Sequence, residues 1–404
     1  MKKRINNIWQ KCFSLIFSRK KAVIVSFVNA AILTVGTYFM NNCSLLTREN
    51  LDLYAGLEYM FGSDETVNDS VLLVNIAYDK QIAKKIVDGI TVGNTDVTDR
   101  KALIKLLRNL REMPQDSSYR YIFLDVCFEA GDETNFDSEL FKEIESTPRL
   151  VIANHNDIVL ADEKLMSKAA YSDFLITLTS NNFVRYKYLR EEGESMPLRA
   201  YRELYSDSIK RHSWLFYSCN NGLCQNTHVV KSVLKVDEST DESNRGSSFM
   251  TRSYYQNLNK INDVYNLSEM AKNKYVVVGN MIDDKHDTFF GKIPGSVLIF
   301  SAYWSLKNGE NVVKLWIEVL FFMLFFCISL SLFSKEPVIE KISWVRKSKS
   351  KILHFVMTFL SYSTVIFVAT IILYLCFNVI SSIWVPALYF SIQKAYFTYK
   401  YLKV

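Results

Sequence analysis

Four aspartates stand at or just past the ends of short apolar runs, and their placement is the strongest chemical signal in the chain. Asp79 follows residues 71–77 (VLLVNIA), and Asp125 lies near the end of 121–126 (YIFLDV). Asp283 and Asp284 follow 275–279 (YVVVG) after a short loop. If these runs are neighbouring parallel strands, the carboxylates converge at one edge, where open α/β sheets bind ligands. With His286, Asp287 and Thr288 the set suits a divalent cation or a polar, cationic ligand. A plainer reading competes: Asp125 also suits capping or the satisfaction of buried backbone groups, and 283–287 (DDKHD) also reads as a solvated loop. The sequence holds no HExxH, GxSxG or Walker loop and no nucleophile–base set, so binding rather than catalysis is expected. No cofactor is expected beyond such a cation. His155, His212 and His228 stand alone and read as surface or packing residues.

Of seven cysteines, Cys219 and Cys224 bracket a loop containing Asn-Gly. That spacing allows a disulfide across a hairpin end in an oxidising compartment, with two thiols as the alternative. A zinc site lacks a second ligand pair.

The elements that must position these residues read as mixed α/β. Residues 71–77, 121–126, 150–153 and 275–279 are short and rich in Val, Leu and Ile, as strands buried on both faces are. Helical segments alternate with them. Leu103, Leu106, Leu107 and Leu110 recur at helical spacing after Thr98 and Asp99 as candidate caps. Residues 136–144 follow Thr134 and Asn135, and 297–306 lie between Pro294-Gly295 and Gly309. Strands alternating with helices predict a mainly parallel central sheet. Between them, 173–177 and 183–188 flank a Ser180-Asn181-Asn182 turn signal, and 213–218 and 229–236 flank the cysteine loop. This predicts an antiparallel insertion, followed by a polar stretch over 237–248.

The 404 residues are 49% hydrophobic and 14% aromatic, with only 13 Gly and 6 Pro, which excludes a disordered chain and a Gly-rich barrel. A net charge of +6 does not imply nucleic acid, because the basic residues cluster beside apolar runs. Residues 22–40 are uncharged and long enough to cross a hydrocarbon core of ~30 Å. The preceding 1–21 hold seven Lys and Arg and no acid, which places the N-terminus in the cytoplasm. Residues 312–333 form a second run, followed by a basic cytoplasmic loop at 334–351. Residues 352–377 and 382–397 read as two more spans, with a cytoplasmic tail at 398–404. The expected domain at 42–311 is then extracytoplasmic, in a multi-pass protein of the inner membrane with the bilayer as a partner.

The ordered set of residues resembles the second type of CHASE domain, an extracellular sensory domain associated with cyclases and histidine kinases. Asp99-Arg100 precedes residues 121–128, like the family's strand ending in Asp and Phe, and Asp137 with Leu140 follows as in its next helix. Residues 181–185 (NNFVR) sit where the family tends to show Asp-Gly and an Arg. Residues 275–279, then Asp284, Thr288, Gly291, Pro294, Gly295 and Val297, look like its late strand and loop. Ala302, Leu306 and Gly309 match its closing helix. The resemblance covers about 50–310 and extends to one membrane helix before the domain and about three after it. It implies a sensor that recognises a ligand or the state of the envelope. Asn181-Asn182 replaces Asp-Gly, a departure that Asn's tolerance of left-handed backbone softens. No kinase, cyclase or other output segment follows the last helix in this sequence, so the resemblance implies a separate cytoplasmic or membrane output protein. A homodimer is compatible with it. A membrane-anchored, metal-assisted hydrolase using Asp79, Asp125, Asp283 and Asp284 is the competing reading, and a scaffold without ligand the plainest.

Overall fold

The computed structural model describes residues 20–42, 54, 56–57, 70–114, 118–177, 180–213, 216–220, 222–229, 234–237, 251–262, 267–288, 291–333, 351–377 and 384–402. The basic flank at 1–19, the basic loop at 334–350 and the polar stretch at 238–250 lie outside them. The chain divides into two units, Ala55–Val312 and the combination of Met1–Tyr54 with Val313–Val404.

The first unit opens with β1 (Val71–Asn75), the hairpin β2 (Lys80–Val87) and β3 (Ile90–Thr98), and α2 (Arg100–Arg111), the label α1 being kept for Lys20–Asn42. There follow β4 (Tyr121–Leu124), β5 (Asp132–Glu133), α3 (Asp137–Ser146), β6 (Leu150–Asn154), β7 (Ala169–Tyr171), β8 (Leu175–Thr177), β9 (Ser180–Lys187) and α4 (Met196–Tyr205). Short strands β10 (Lys210–Arg211), β11 (Tyr217–Cys219), β12 (Gly222–Cys224) and β13 (Thr227–Val229) lead to β14 (Leu234–Asp237) and β15 (Thr251–Asn257). Helices α5 (Leu258–Asn262) and α6 (Leu267–Ala271), strands β16 (Tyr275–Gly279), β17 (Lys285–Thr288) and β18 (Gly291–Pro294), and α7 (Gly295–Lys307) complete it.

The centre is a seven-stranded sheet in the order β14-β15-β1-β16-β4-β6-β7, and every pairing in it is parallel. All residues of β1, β4, β6 and β16 are buried, the condition under which a strand carries a continuous apolar run. Alternate side chains feed two cores. Leu73, Tyr121, Phe123, Val151, Tyr275 and Val277 pack with Met196, Leu198 and Ala200 of α4 and Val297, Phe300 and Tyr303 of α7. Leu72, Val74, Ile122, Leu124, Ile152, Val276 and Val278 pack with α2, α3, α5 and α6. The result is a three-layer α/β/α arrangement.

Helix α2 forms where the leucine spacing predicts it. Asp99 caps it by accepting from the Ala102 amide at 3.2 Å. Its polar side meets α3 through Arg108–Glu139 at 2.9 Å and Arg111–Glu143 at 3.0 Å.

Four small antiparallel sheets accompany the centre among the described residues: β10-β11-β12, β13-β9-β8, β3-β2-β5 and the hairpin β17-β18. The insertion is therefore antiparallel as expected, but its details differ. Thr177 pairs with Ser180, so the link is 178–179, and Asn181 and Asn182 lie within β9 rather than in a turn. The strand expected at 229–236 is split: β13 joins β9, and β14 crosses to the parallel sheet beside β15.

Cys219 and Cys224 are free cysteines in this structure. Cys219 stands opposite Gly222 and Cys224 opposite Tyr217. The two are diagonal neighbours across the β11–β12 hairpin, and their side chains interact.

The second unit consists of α1 (Lys20–Asn42), α8 (Leu315–Phe333), α9 (Lys351–Phe377) and α10 (Trp384–Leu402). The segments Lys20–Met40 and Leu315–Phe333 are long and apolar enough to cross a membrane. The tail expected from 398 is helical as far as Leu402. Pro386 sits in the first turn of α10, where its missing N–H leaves no bond unmade. Ala30, Leu33, Phe321, Phe325, Ile366 and Phe390 share an apolar core. A polar knot crosses it: Asn29 donates to Ser329 Oγ at 2.8 Å, Tyr389 donates to Asn29 Oδ1, and Gln393 donates to Tyr389 at 2.6 Å.

Candidate functional site

A cavity of about 540 Å³ opens at the carboxyl ends of the central strands, lined in part by Asp125, Cys127, His155, Asp173, Arg190, Asp284 and His286. Its floor follows from the register. Asp125 comes directly after β4, and its amide donates to Val278 O of β16 at 2.8 Å. His155 follows β6, and Ser172 and Asp173 follow β7. The β17–β18 hairpin brings Asp284 and His286, and the first turns of α7 bring Gly295 and Ile299.

Two histidine–aspartate pairs flank Asp125. His155 Nδ1 donates to Asp173 Oδ1 at 2.7 Å. The other Asp173 oxygen accepts from the Asn156 amide at 3.1 Å and lies 3.6 Å from Arg190 Nη1. Arg190 also donates to the Asp173 carbonyl. Opposite, His286 Nε2 lies 3.2 Å from Asp284 Oδ1, and the His286 ring stands edge-on to Phe174 at 4.9 Å. Gly295 makes room for this second pair. A Cβ there would lie 2.6 Å from Asp284 Oδ2 and 3.1 Å from His286 Nε2. Gly279 at the end of β16 is constrained likewise, because a Cβ would meet Ser296 at 2.6 Å.

The charges follow from these contacts. Burial pushes Asp125 up to about 7, the Asp284 charge adds to the rise, and the His155 and His286 rings oppose it. Both histidines are raised, His155 by its bond to Asp173 and His286 by its bond to Asp284, each against the effect of burial. Burial alone would raise Asp173, but hydrogen bonds from His155 and Asn156 and the charges of His155 and Arg190 hold it below the usual carboxylate range. Burial lifts Cys127 to about 11, helped by Glu129, Asp125 and Asp173, so it stands as a thiol rather than a nucleophilic thiolate.

Of the residues singled out in the sequence, Asp125, Asp284 and His286 meet in this cavity. Asp79, Asp283 and Thr288 do not line it. Asp79 is buried at the end of α5, bonded to the Asn259 side chain, and burial raises it despite backbone bonds from Asn259 and Leu258. Asp283 is exposed and closes a local turn with Asn280, and Thr288 bonds Gly291 O at 2.7 Å in its hairpin. His155, which reads as a surface or packing residue in the sequence, lines the cavity, as do Asp173 and Arg190. Among the described residues no group of three His, Cys, Asp or Glu side chains is arranged to hold a metal ion.

At the end of β1 the Asn75 side chain is taken up by bonds within the protein. Asn75 donates to Asn257 at 2.9 Å and accepts from the Ala77 and Met281 amides at 3.1 and 3.0 Å.

Comparison with curated proteins and with solved structures gives no match. Comparison with protein families matches residues 30–333 to the CHASE2 domain. That span takes in the parallel sheet, the cavity, the second half of α1 and all of α8, and a sensory role agrees with a pocket built on strand ends. The chain belongs to the CHASE2 domain family, a family of extracellular sensory domains.

Proposed function

We propose that residues 55–312 form an extracytoplasmic sensory module that binds a small polar ligand in the cavity, and that the membrane-spanning helices relay its occupancy to a separate output protein. The observation that carries this reading is the cavity itself. Two histidine–aspartate pairs and a half-buried aspartate converge at the carboxyl edge of a parallel sheet, the place where such sheets take ligands. We read the site as binding rather than catalytic. Ser172 Oγ lies 3.3 Å from His155 Nδ1 and 3.4 Å from Nε2. Near-equal distances to both ring nitrogens put the hydroxyl out of line with the Nε2 lone pair, so Ser172, His155 and Asp173 do not make a working triad.

The test is a cavity-filling substitution, Ile299→Trp, in the full chain held in lipid nanodiscs. A small-molecule extract of the native cells should raise the thermal midpoint of the unsubstituted protein and add a bound mass in native mass spectrometry. Ile299→Trp, folded by circular dichroism, should lose both. Equal responses from the two proteins, or none from either, would remove the cavity as the sensory site. Copurification from mild detergent should bring the output protein with the chain, and repeated recovery of the chain alone would count against a relay to a partner.

A further inference from the structure

The lining of the cavity narrows the kind of molecule it accepts, provided that the cavity is the ligand site proposed above. A volume of about 540 Å³ is far larger than a bare ion needs and falls in the range of small organic ligands. The charged groups are unevenly committed. Arg190 and His155 are both engaged by Asp173, and His286 is engaged by Asp284. Each described cation of the lining therefore already faces a carboxylate of the protein. Asp125 differs: among the described residues its carboxylate takes part in no hydrogen bond or ion pair. A carboxylate removed from bulk water without a donor is costly to ionise unless a cation is brought to it.

An anionic ligand would meet Asp125, Asp157, Asp173 and Asp284 with no uncommitted positive charge to receive it. A chelated metal is disfavoured because no three ligating side chains converge among the described residues. Phe174 and Ile299 add apolar and aromatic surface to the lining. Phe174 stands against His286, and a cavity lined by both an aromatic ring and a carboxylate suits an organic cation with an apolar body.

We propose that the cavity binds a small organic amine, its ammonium paired with Asp125 and its apolar part against Phe174 and Ile299.

Three probes of nearly equal shape test this on the full chain in nanodiscs: benzylamine, benzyl alcohol and benzoate, each titrated by ligand-observed NMR at pH 8. Benzylamine should bind saturably and at least tenfold more tightly than either of the others. Asp125→Asn should weaken benzylamine at least tenfold and leave benzyl alcohol unchanged. If Asp125→Asn does not fold, the order of the three probes on the unsubstituted chain decides the matter alone. Benzoate or benzyl alcohol binding as tightly as benzylamine, with Ile299→Trp abolishing it, would overturn the amine while leaving the cavity as the ligand site. Benzylamine affinity unchanged by Asp125→Asn, or no binding of benzylamine at all, would also overturn the amine. The ligand-site reading itself stands or falls on the extract experiment with Ile299→Trp.

Discussion

At Asp125, burial and a neighbouring carboxylate favour the proton, while two imidazole rings favour its release. Burial prevails, and the group moves from 3.8 to about 7. The folded state therefore holds this proton more tightly than the unfolded chain does. The stability it contributes is complete below about pH 4 and is lost as pH rises through about 7. His155 and His286, both raised from 6.5, act in the same direction, since their contribution fades as pH rises through their folded values. Asparagine at 125 imitates the protonated form. Asp125→Asn should flatten the fall in thermal midpoint between about pH 4 and 7, and above pH 7 it should stabilise by roughly 2 kcal/mol, after allowance for water in the cavity. Unchanged pH dependence in melting curves would contradict the assignment. Gly295→Ala tests the second pair. Its Cβ would press on Asp284 and His286, and the His286 titration followed by NMR should move back toward the ordinary histidine value.

Among the elements, α2 is the one whose formation the sequence states most fully: a cap, an apolar stripe and basic residues in its last turn. Asp99→Ala removes the cap and should lower stability by about 1 kcal/mol in denaturant unfolding. The strands at 71–75, 121–124, 150–154 and 275–279 were equally legible, because burial on both faces demands continuous apolar runs. Thr251–Asn257 was not. Its sequence, TRSYYQN, carries no apolar run, and its place between β14 and β1 comes from parallel pairing with strands distant in sequence. The site was legible in part for the same reason. The rule that found Asp125, a polar residue just beyond an apolar strand, applies equally to His155 beyond 150–154. What hid His155 was its partner, since Asp173 reaches it only through the parallel pairing of β6 with β7. Arg190 gave no local signal. Asp79 obeyed the strand-end rule yet went to α5, where the Asn259 side chain bonds it.

For the whole molecule, the helices contain a polar device in apolar surroundings. Asn29 joins α1, α8 and α10 through Ser329 and Tyr389. Asn29→Leu should cost about 1 kcal/mol of helix association, read as a lower midpoint when the full chain is titrated with a denaturing detergent. The proposed orientation predicts that an impermeant thiol reagent applied to intact cells labels a cysteine placed at Asp157 and spares one placed at Lys341. Strand order has a separate consequence, for how the chain is made. Val71 pairs with Tyr275, and Tyr275 with Tyr121, so the first two core strands to emerge never touch each other. The place between them stays vacant until 275–279 arrives, near the end of the domain. If the domain is exported as proposed, the chain carries two unfilled strand edges through most of its synthesis. Completion of the central sheet therefore waits on β16, its last strand in sequence.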